Sequence, residues 1–246
     1  MQHRSKKIKK SFFIILIVLI VLSGGSAIYL GNYYHSVDVE KYMTSSSEVT
    51  IKKFDKGWFF DGAGEEKALI FYPGAKVATE AYAPLMYQLA ESGIDCFLVD
   101  MPFHMAFFGM NRAEEIMQEY NYEAWYLGGH SLGGAMAANF AADYVEDHTD
   151  GIRGLLLLAA YPTKDLSTSD MSVVTVYGSE DGVLNMDKIV AGRELMPQDY
   201  KEVCIEGGNH AQFGSYGAQK GDGTAAIPAE EQWARTVEVF VGDESE

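Results

Sequence analysis

The chain has 246 residues, enough for one large domain with a sizeable core, and 48% hydrophobic with 22% charged residues is a globular rather than a disordered composition. The formal net charge of −16 hides an asymmetry. Residues 1–10 hold five basic side chains (Arg4, Lys6, Lys7, Lys9, Lys10) and no acid, which leaves 14 basic against 35 acidic in the rest, a net of −21. So acidic a body is repelled by phosphates, which excludes nucleic acid as a partner.

The basic stretch MQHRSKKIKK leads into 19 uncharged residues from Phe12 to Leu30, close to the length that crosses a bilayer core as a helix. Residues 1–10 are therefore expected as a cytoplasmic tail, 11–30 as a single-pass signal-anchor and 31–48, polar and serine-containing, as a linker. The domain over 49–246 then lies outside the cell membrane. A cleaved signal peptide is the competing reading, with Gly25-Ser26-Ala27 as a small-residue cleavage site, and would make the domain secreted.

From about residue 49 short apolar runs alternate with helical spacing. VTIKKF and GWFFDG suit a leading hairpin, and KALIFY, IDCFLVD, EAWYL, RGLLLLAA, SVVTVYG and YKEVCIEG are strand-like. TEAYAPLMYQLAESG, NRAEEIMQEY, SLGGAMAANFAADYVEDH, GVLNMDKIVAGRELM and AEEQWARTVEVF carry helical periodicity, with Gly93 and Pro228 as punctuation. Such alternation predicts an α/β fold: three layers, a mostly parallel sheet with helices on both faces. Only about a dozen residues, from YPTKDLSTSDM, separate RGLLLLAA from the next strand, too few for a lid domain. Cys96 and Cys204 both lie in strand-like runs and are expected in the core.

In a parallel sheet, ligands gather beyond the carboxyl ends of the strands. KALIFY is followed by PGAKV, IDCFLVD by MPFHMAFFGM, EAWYL by GGHSLGG, SVVTVYG by SEDGV, and YKEVCIEG by GGNH. A serine, an acid and a histidine thus fall on one edge, in that chain order.

Gly129-His130-Ser131-Leu132-Gly133 matches the G-x-S-x-G nucleophile elbow, and with SEDGV and GGNH the chain resembles the α/β-hydrolase superfamily over about residues 50–244. FYPGAKV, MPFHMAFF and GGNHAQFGSYG are similar to bacterial serine hydrolases near dienelactone hydrolase. The resemblance implies an acyl-enzyme mechanism on carboxylic esters, with Ser131 as nucleophile, His210 as base and Asp181 as its orienting acid. It further implies oxyanion donors from the N–H groups of Leu132 and Ala75, although Pro73-Gly74 stands where relatives often have histidine-glycine. Peptidase or amidase action uses the same triad, and a non-catalytic hydrolase-fold binding domain is the alternative of another class.

Other readings stay open. Glu180 adjoins Asp181, and Asp165 follows the preceding strand, so both are alternative acids. His130 is expected to pack beneath the serine rather than react, and His104 to line a pocket. MPFHMAFFGM is either buried or an acyl-pocket wall; Gly74, Phe103 and Met105 are candidate substrate contacts. The Gly-rich FGSYGAQKGDGTAAIP reads as a loop covering the site. No His/Cys/Asp/Glu cluster has metal-ligand spacing, so neither metal nor cofactor is expected, and the partners are a small-molecule acyl substrate and the membrane.

Overall fold

A computed structural model describes residues 31–148 and 151–243, so the tail and apolar run expected over 1–30 lie outside the described residues. The compact unit that holds the sheet begins at Tyr34. Its first regular elements are the expected hairpin, β1 (Thr50–Phe54) antiparallel to β2 (Gly57–Asp61). Six strands follow: β3 (Lys67–Tyr72), β4 (Asp95–Val99), β5 (Ala124–His130), β6 (Ile152–Leu158), β7 (Ser172–Gly178) and β8 (Tyr200–Ile205). The sheet order is β1-β2-β4-β3-β5-β6-β7-β8; β2 pairs antiparallel with β1 and β4, and every other pairing is parallel.

Five helices connect or follow the strands: α1 (Ala83–Glu91), α2 (Arg112–Glu119), α3 (Leu132–Asp147), α4 (Met186–Gly192) and α5 (Ala229–Asp243). Alternation along KALIFY divides the core. Leu69 and Phe71 join Leu85, Met86 and Leu89 of α1 and Phe240 of α5 on one face. Ala68, Ile70 and Tyr72 join Ile116 of α2 and the alanines of α3 on the other. A strand buried on both faces reads as an unbroken apolar run, and each fully buried leucine or phenylalanine contributes roughly 1.5–3 kcal/mol. This is the expected three-layer α/β architecture. The stretch between β6 and β7 contains no helix, so no lid covers the strand ends.

Two expectations are corrected. Cys96 is buried in central β4, but Cys204 is exposed, because β8 is the sheet's edge strand and has a neighbour on one side only. The stretch from Tyr34 to Glu48, expected as a linker, is laid on the domain. Tyr34 forms a parallel bridge with Val77, its N–H donating to Lys76 O at 2.7 Å, and Val37 N–H donates to Ser215 O at 2.8 Å. Val39 is buried at the head of a short 3-10 turn, Glu40–Met43. Among the described residues, no helix is long and apolar enough to cross a membrane.

Candidate active site

Ser131 stands alone between the end of β5 and the start of α3, with φ 53° and ψ −121°. That backbone region is costly for a residue with a Cβ, and it is held here by the neighbours. The Ser131 N–H donates to Leu158 O on β6 at 2.8 Å, and its carbonyl accepts from Ala135 N at 3.1 Å. The flanking glycines are demanded by close approach: a Cβ on Gly133 would lie 2.1 Å from Tyr72 O, and one on Gly129 2.6 Å from Gly133 C. The helix start leaves the Leu132 N–H without an acceptor.

Asp181 and His210 are brought together from the loops after β7 and β8. Asp181 Oδ2 lies 2.8 Å from His210 Nδ1, and each side chain is 2% exposed. Asp181 Oδ1 accepts the N–H groups of Val183 at 2.9 Å and Leu184 at 2.7 Å. A carboxylate only accepts, so Nδ1 carries the proton and Nε2 presents a lone pair. Nε2 is buried and has no hydrogen-bond partner, the Ser131 hydroxyl included. The alternative acids are elsewhere: Glu180 is exposed and takes the Ser179 hydroxyl, while exposed Asp165 accepts from Ser167 N.

The elbow meets the histidine loop through His130. Its ring lies 4.4 Å from that of His210 and is fully enclosed, as expected for a packing role. His130 Nδ1 lies 2.7 Å from the Tyr82 hydroxyl, which accepts from Gly74 N at 3.0 Å. The Tyr82 hydroxyl donates to Nδ1 when the neutral ring carries its proton on Nε2, and accepts from it in the other tautomer. Burial, and then the neighbouring His210, hold the His130 pKa well below the usual histidine range. Gly74 is thus a structural contact of this pair: a Cβ there would come within 2.8 Å of both His130 Nδ1 and the Tyr82 oxygen. In the same loop Lys76 N–H donates to His104 O and Val77 N–H to Gly74 O, while the Ala75 N–H has no acceptor.

The loop after β4 is not buried as a whole. Met101 and Ala106 are buried and Met105 is half-buried, but Phe103, Phe107 and Phe108 are 59%, 49% and 52% exposed. Phe103 and His104 both have positive φ, an uncommon conformation for residues with a Cβ. His104 is half-buried, and burial lowers its pKa.

Several supporting residues left no clear mark in the sequence. Asp222, in the Gly-rich segment, accepts through Oδ1 from His210 N at 3.2 Å and Gly182 N at 3.1 Å, and through Oδ2 from Ala211 N at 2.8 Å. It ties the acid loop to the histidine loop, so the segment braces the site. Gln232 on α5, wholly buried, accepts from Asn209 N at 3.0 Å and donates to Asn209 O at 2.8 Å. The one sequence signal for Asp222 was an acid set between glycines, a turn pattern common anywhere. The signal for Gln232 was a polar residue on the apolar face of a helix, a face it shares with Thr236.

No curated protein matches the sequence significantly. Solved structures share the fold at low identity. Carboxyl esterase 2 from the mycorrhizal fungus Tuber melanosporum is 13% identical with a TM-score of 0.60, covering 85% of this chain and 89% of its own. Est1E from Butyrivibrio proteoclasticus is 16% identical with a TM-score of 0.56, over 81% and 100%. A soluble variant of the monoglyceride lipase from Saccharomyces cerevisiae is 12% identical with a TM-score of 0.54, over 82% and 96%. The family model for alpha/beta hydrolases matches residues 68–234, from the second residue of β3 into α5. With its strand order and the elbow after β5, the chain belongs to the alpha/beta hydrolase family.

Proposed function

We propose that the protein is a serine hydrolase that acts through an acyl-enzyme on carboxylic esters of small or medium size. The observation that carries this reading is the buried Asp181–His210 pair at the same sheet edge as the strained Ser131 turn. Asp181 fixes the histidine tautomer, which leaves Nε2 to accept the Ser131 proton as Oγ attacks the acyl carbon. The Ser131–His210 hydrogen bond absent here is expected to close when substrate binds. The N–H groups of Leu132 and Ala75, both without acceptors, are the donors to the oxyanion. His210 then gives its proton to the departing alkoxide, and the same groups run in reverse when water releases the acid. That two fold neighbours are named as a carboxyl esterase and a monoglyceride lipase supports an ester substrate.

The proposal includes location. Residues 11–30 anchor the chain with 1–10 in the cytoplasm, and the catalytic domain faces outward, or is secreted if the apolar run is cleaved. Protease added to intact cells should reach the domain, and alkaline washing should not strip it from membranes. Recovery in the cytosol overturns this placement, and a mature amino terminus near Ile28 selects the secreted form.

A fluorophosphonate probe tests the chemistry. It should modify Ser131 in the wild type and leave Ser131→Ala unmodified. Absence of labelling in a folded protein overturns the enzyme reading in favour of a binding domain. Labelling with amide but no ester turnover moves the assignment to a peptidase or amidase.

A further inference from the structure

Among the described residues, every exposed large apolar side chain lies on one of three segments. Phe103, Phe107 and Phe108 follow β4, Val37 lies in the segment leading into the domain, and three more lie between Val183 and Val190, after β7. A soluble domain usually scatters such residues singly; a concentration of them on one side marks a contact surface. The phenylalanines form a joined cluster, with Phe107 and Phe108 ring centroids 4.1 Å apart and Phe103 and Phe108 5.6 Å apart. Two consecutive positive-φ residues, Phe103 and His104, hold this loop in its outward shape.

All three segments are on the carboxyl edge of the parallel strands. The aromatic loop is fastened to the loop after β3 by the 2.8 Å bond from Lys76 N to His104 O. Tyr34 is bonded to that same loop, and Val37 to Ser215 beyond the histidine. The chain therefore enters the domain at the active-site rim. The stretch expected as the anchor ends at Leu30, four residues before Tyr34, and four residues of chain reach at most about 14 Å. That length of chain decides which face is near whatever the apolar run occupies.

We propose that this apolar rim rests on a phospholipid bilayer, with Phe107 and Phe108 in the headgroup and upper acyl region and the active-site edge facing the lipid. Aromatic rings suit that interface, and contact depends on apolar burial rather than charge, since the body carries a net of −21 outside its first ten residues. The inference adds an orientation to the proposed anchor and is separable from it: flotation with vesicles reads the anchor, and probe position reads the face.

The test uses the full chain reconstituted in phosphatidylcholine vesicles, in a Cys204→Ser background that leaves buried Cys96 as the remaining native thiol. An environment-sensitive fluorophore is placed by Phe107→Cys or Val37→Cys. Glu65→Cys, exposed just before β3 at the opposite sheet edge, is the control. Probes at 107 and 37 should shift to the blue and be quenched by lipids carrying a nitroxide near the headgroup, while the probe at 65 should do neither. Flotation without quenching at 107 and 37 overturns the docking face and leaves the anchor standing. A blue shift that is not quenched and grows with protein density also overturns it, because a second copy then covers the rim. A chain that fails to float with the vesicles overturns both.

Discussion

Asp181 binds His210 Nδ1 through one carboxylate oxygen at 2.8 Å and uses the other for the backbone N–H groups of Val183 and Leu184. Both ends of the carboxylate are occupied, so its plane and hence the imidazole's are fixed before substrate arrives. Asp181→Asn keeps the volume but replaces an acceptor oxygen with a donor. The His210 ring then favours the tautomer with the proton on Nε2, which is unable to take one from Ser131. Turnover should fall by about 10⁴ with the thermal midpoint little changed. Ser131→Ala should remove nearly all turnover, and Ser131→Ala with His210→Ala should be little worse, because the groups act as a unit. Wild-type turnover in Asp181→Asn would sink this assignment of the acid.

Asp222 supplies a second kind of test. Its carboxylate takes the N–H groups of Gly182, His210 and Ala211, so it places the triad without touching the reacting atoms. In Asp222→Asn an NH₂ confronts one of these donors. Charge-assisted bonds are lost and an N–H is left unmet, together about 2–3 kcal/mol. At about 2–4 °C per kcal/mol for a domain of this size, the midpoint should drop by roughly 5–10 °C. The expected kinetic signature is a lower kcat with KM nearly constant. A raised KM at unchanged kcat would make Asp222 a substrate contact instead.

The difference between Asp181 and Asp222 shows what was legible in the sequence. The strands themselves, the elbow and the positions of the paired acid and histidine could be read because burial on both faces makes the apolar runs continuous and each motif follows the end of such a run. Asp222 and Gln232 act on backbone N–H and C=O groups, which every residue has, so their partners leave no trace in composition. The Tyr82–His130 bond joins residues 48 apart, on elements that neither periodicity nor spacing relates. Tyr34 and Val37 escaped for a similar reason: a short polar stretch reads as linker whether or not its backbone docks. In MPFHMAFFGM, apolar content alone did not distinguish the buried Met101 and Ala106 from the exposed Phe103, Phe107 and Phe108.

Gly133 lies close to two carbonyl oxygens: a methyl group on its Cα would sit 2.1 Å from Tyr72 O and 2.4 Å from Pro73 O. Neither backbone oxygen is the movable end of a side chain. Gly133→Ala should therefore either fail to yield folded protein or fold with the elbow displaced and no fluorophosphonate labelling. Gly242→Ala meets nothing within 4 Å in α5 and should be neutral or gain up to about 1 kcal/mol. Circular dichroism melts of the two variants side by side give the comparison. A stable, fully reactive Gly133→Ala would contradict the close approach of β3 to the elbow.

The uncovered strand edge bears on chain length. Between β6 and β7 there is no helix to close over an acyl group, and of the candidate substrate contacts after β4, Phe103 is exposed and Met105 half-buried. Each methylene adds about 0.8 kcal/mol only where it is buried, so kcat/KM should stop rising after the first few carbons in a series of p-nitrophenyl esters. Phe103→Ala should flatten even that rise. A maximum at long chains would require a tunnel beneath the aromatic loop.

His130 carries the pH dependence. It is enclosed by Tyr82, Phe213, Tyr216 and His210, and burial, followed by the like charge of His210, disfavours its protonated form. In the unfolded chain it titrates near 6.5, so below that pH the unfolded state binds a proton that the folded state refuses. Folding stability is thus fully present above about pH 6.5 and is lost as pH falls through that value. The slope is about 1.4 kcal/mol per pH unit for one proton, and it continues down to the depressed folded pKa. Asparagine at this position can still accept from the Tyr82 hydroxyl and has nothing to titrate. Urea melts between about pH 5 and 8 should therefore show His130→Asn with the shallower slope by one proton, whatever its stability at neutral pH. Equal slopes in the two proteins would mean that His130 takes up its proton in the folded state, with the Tyr82 oxygen accepting from Nδ1.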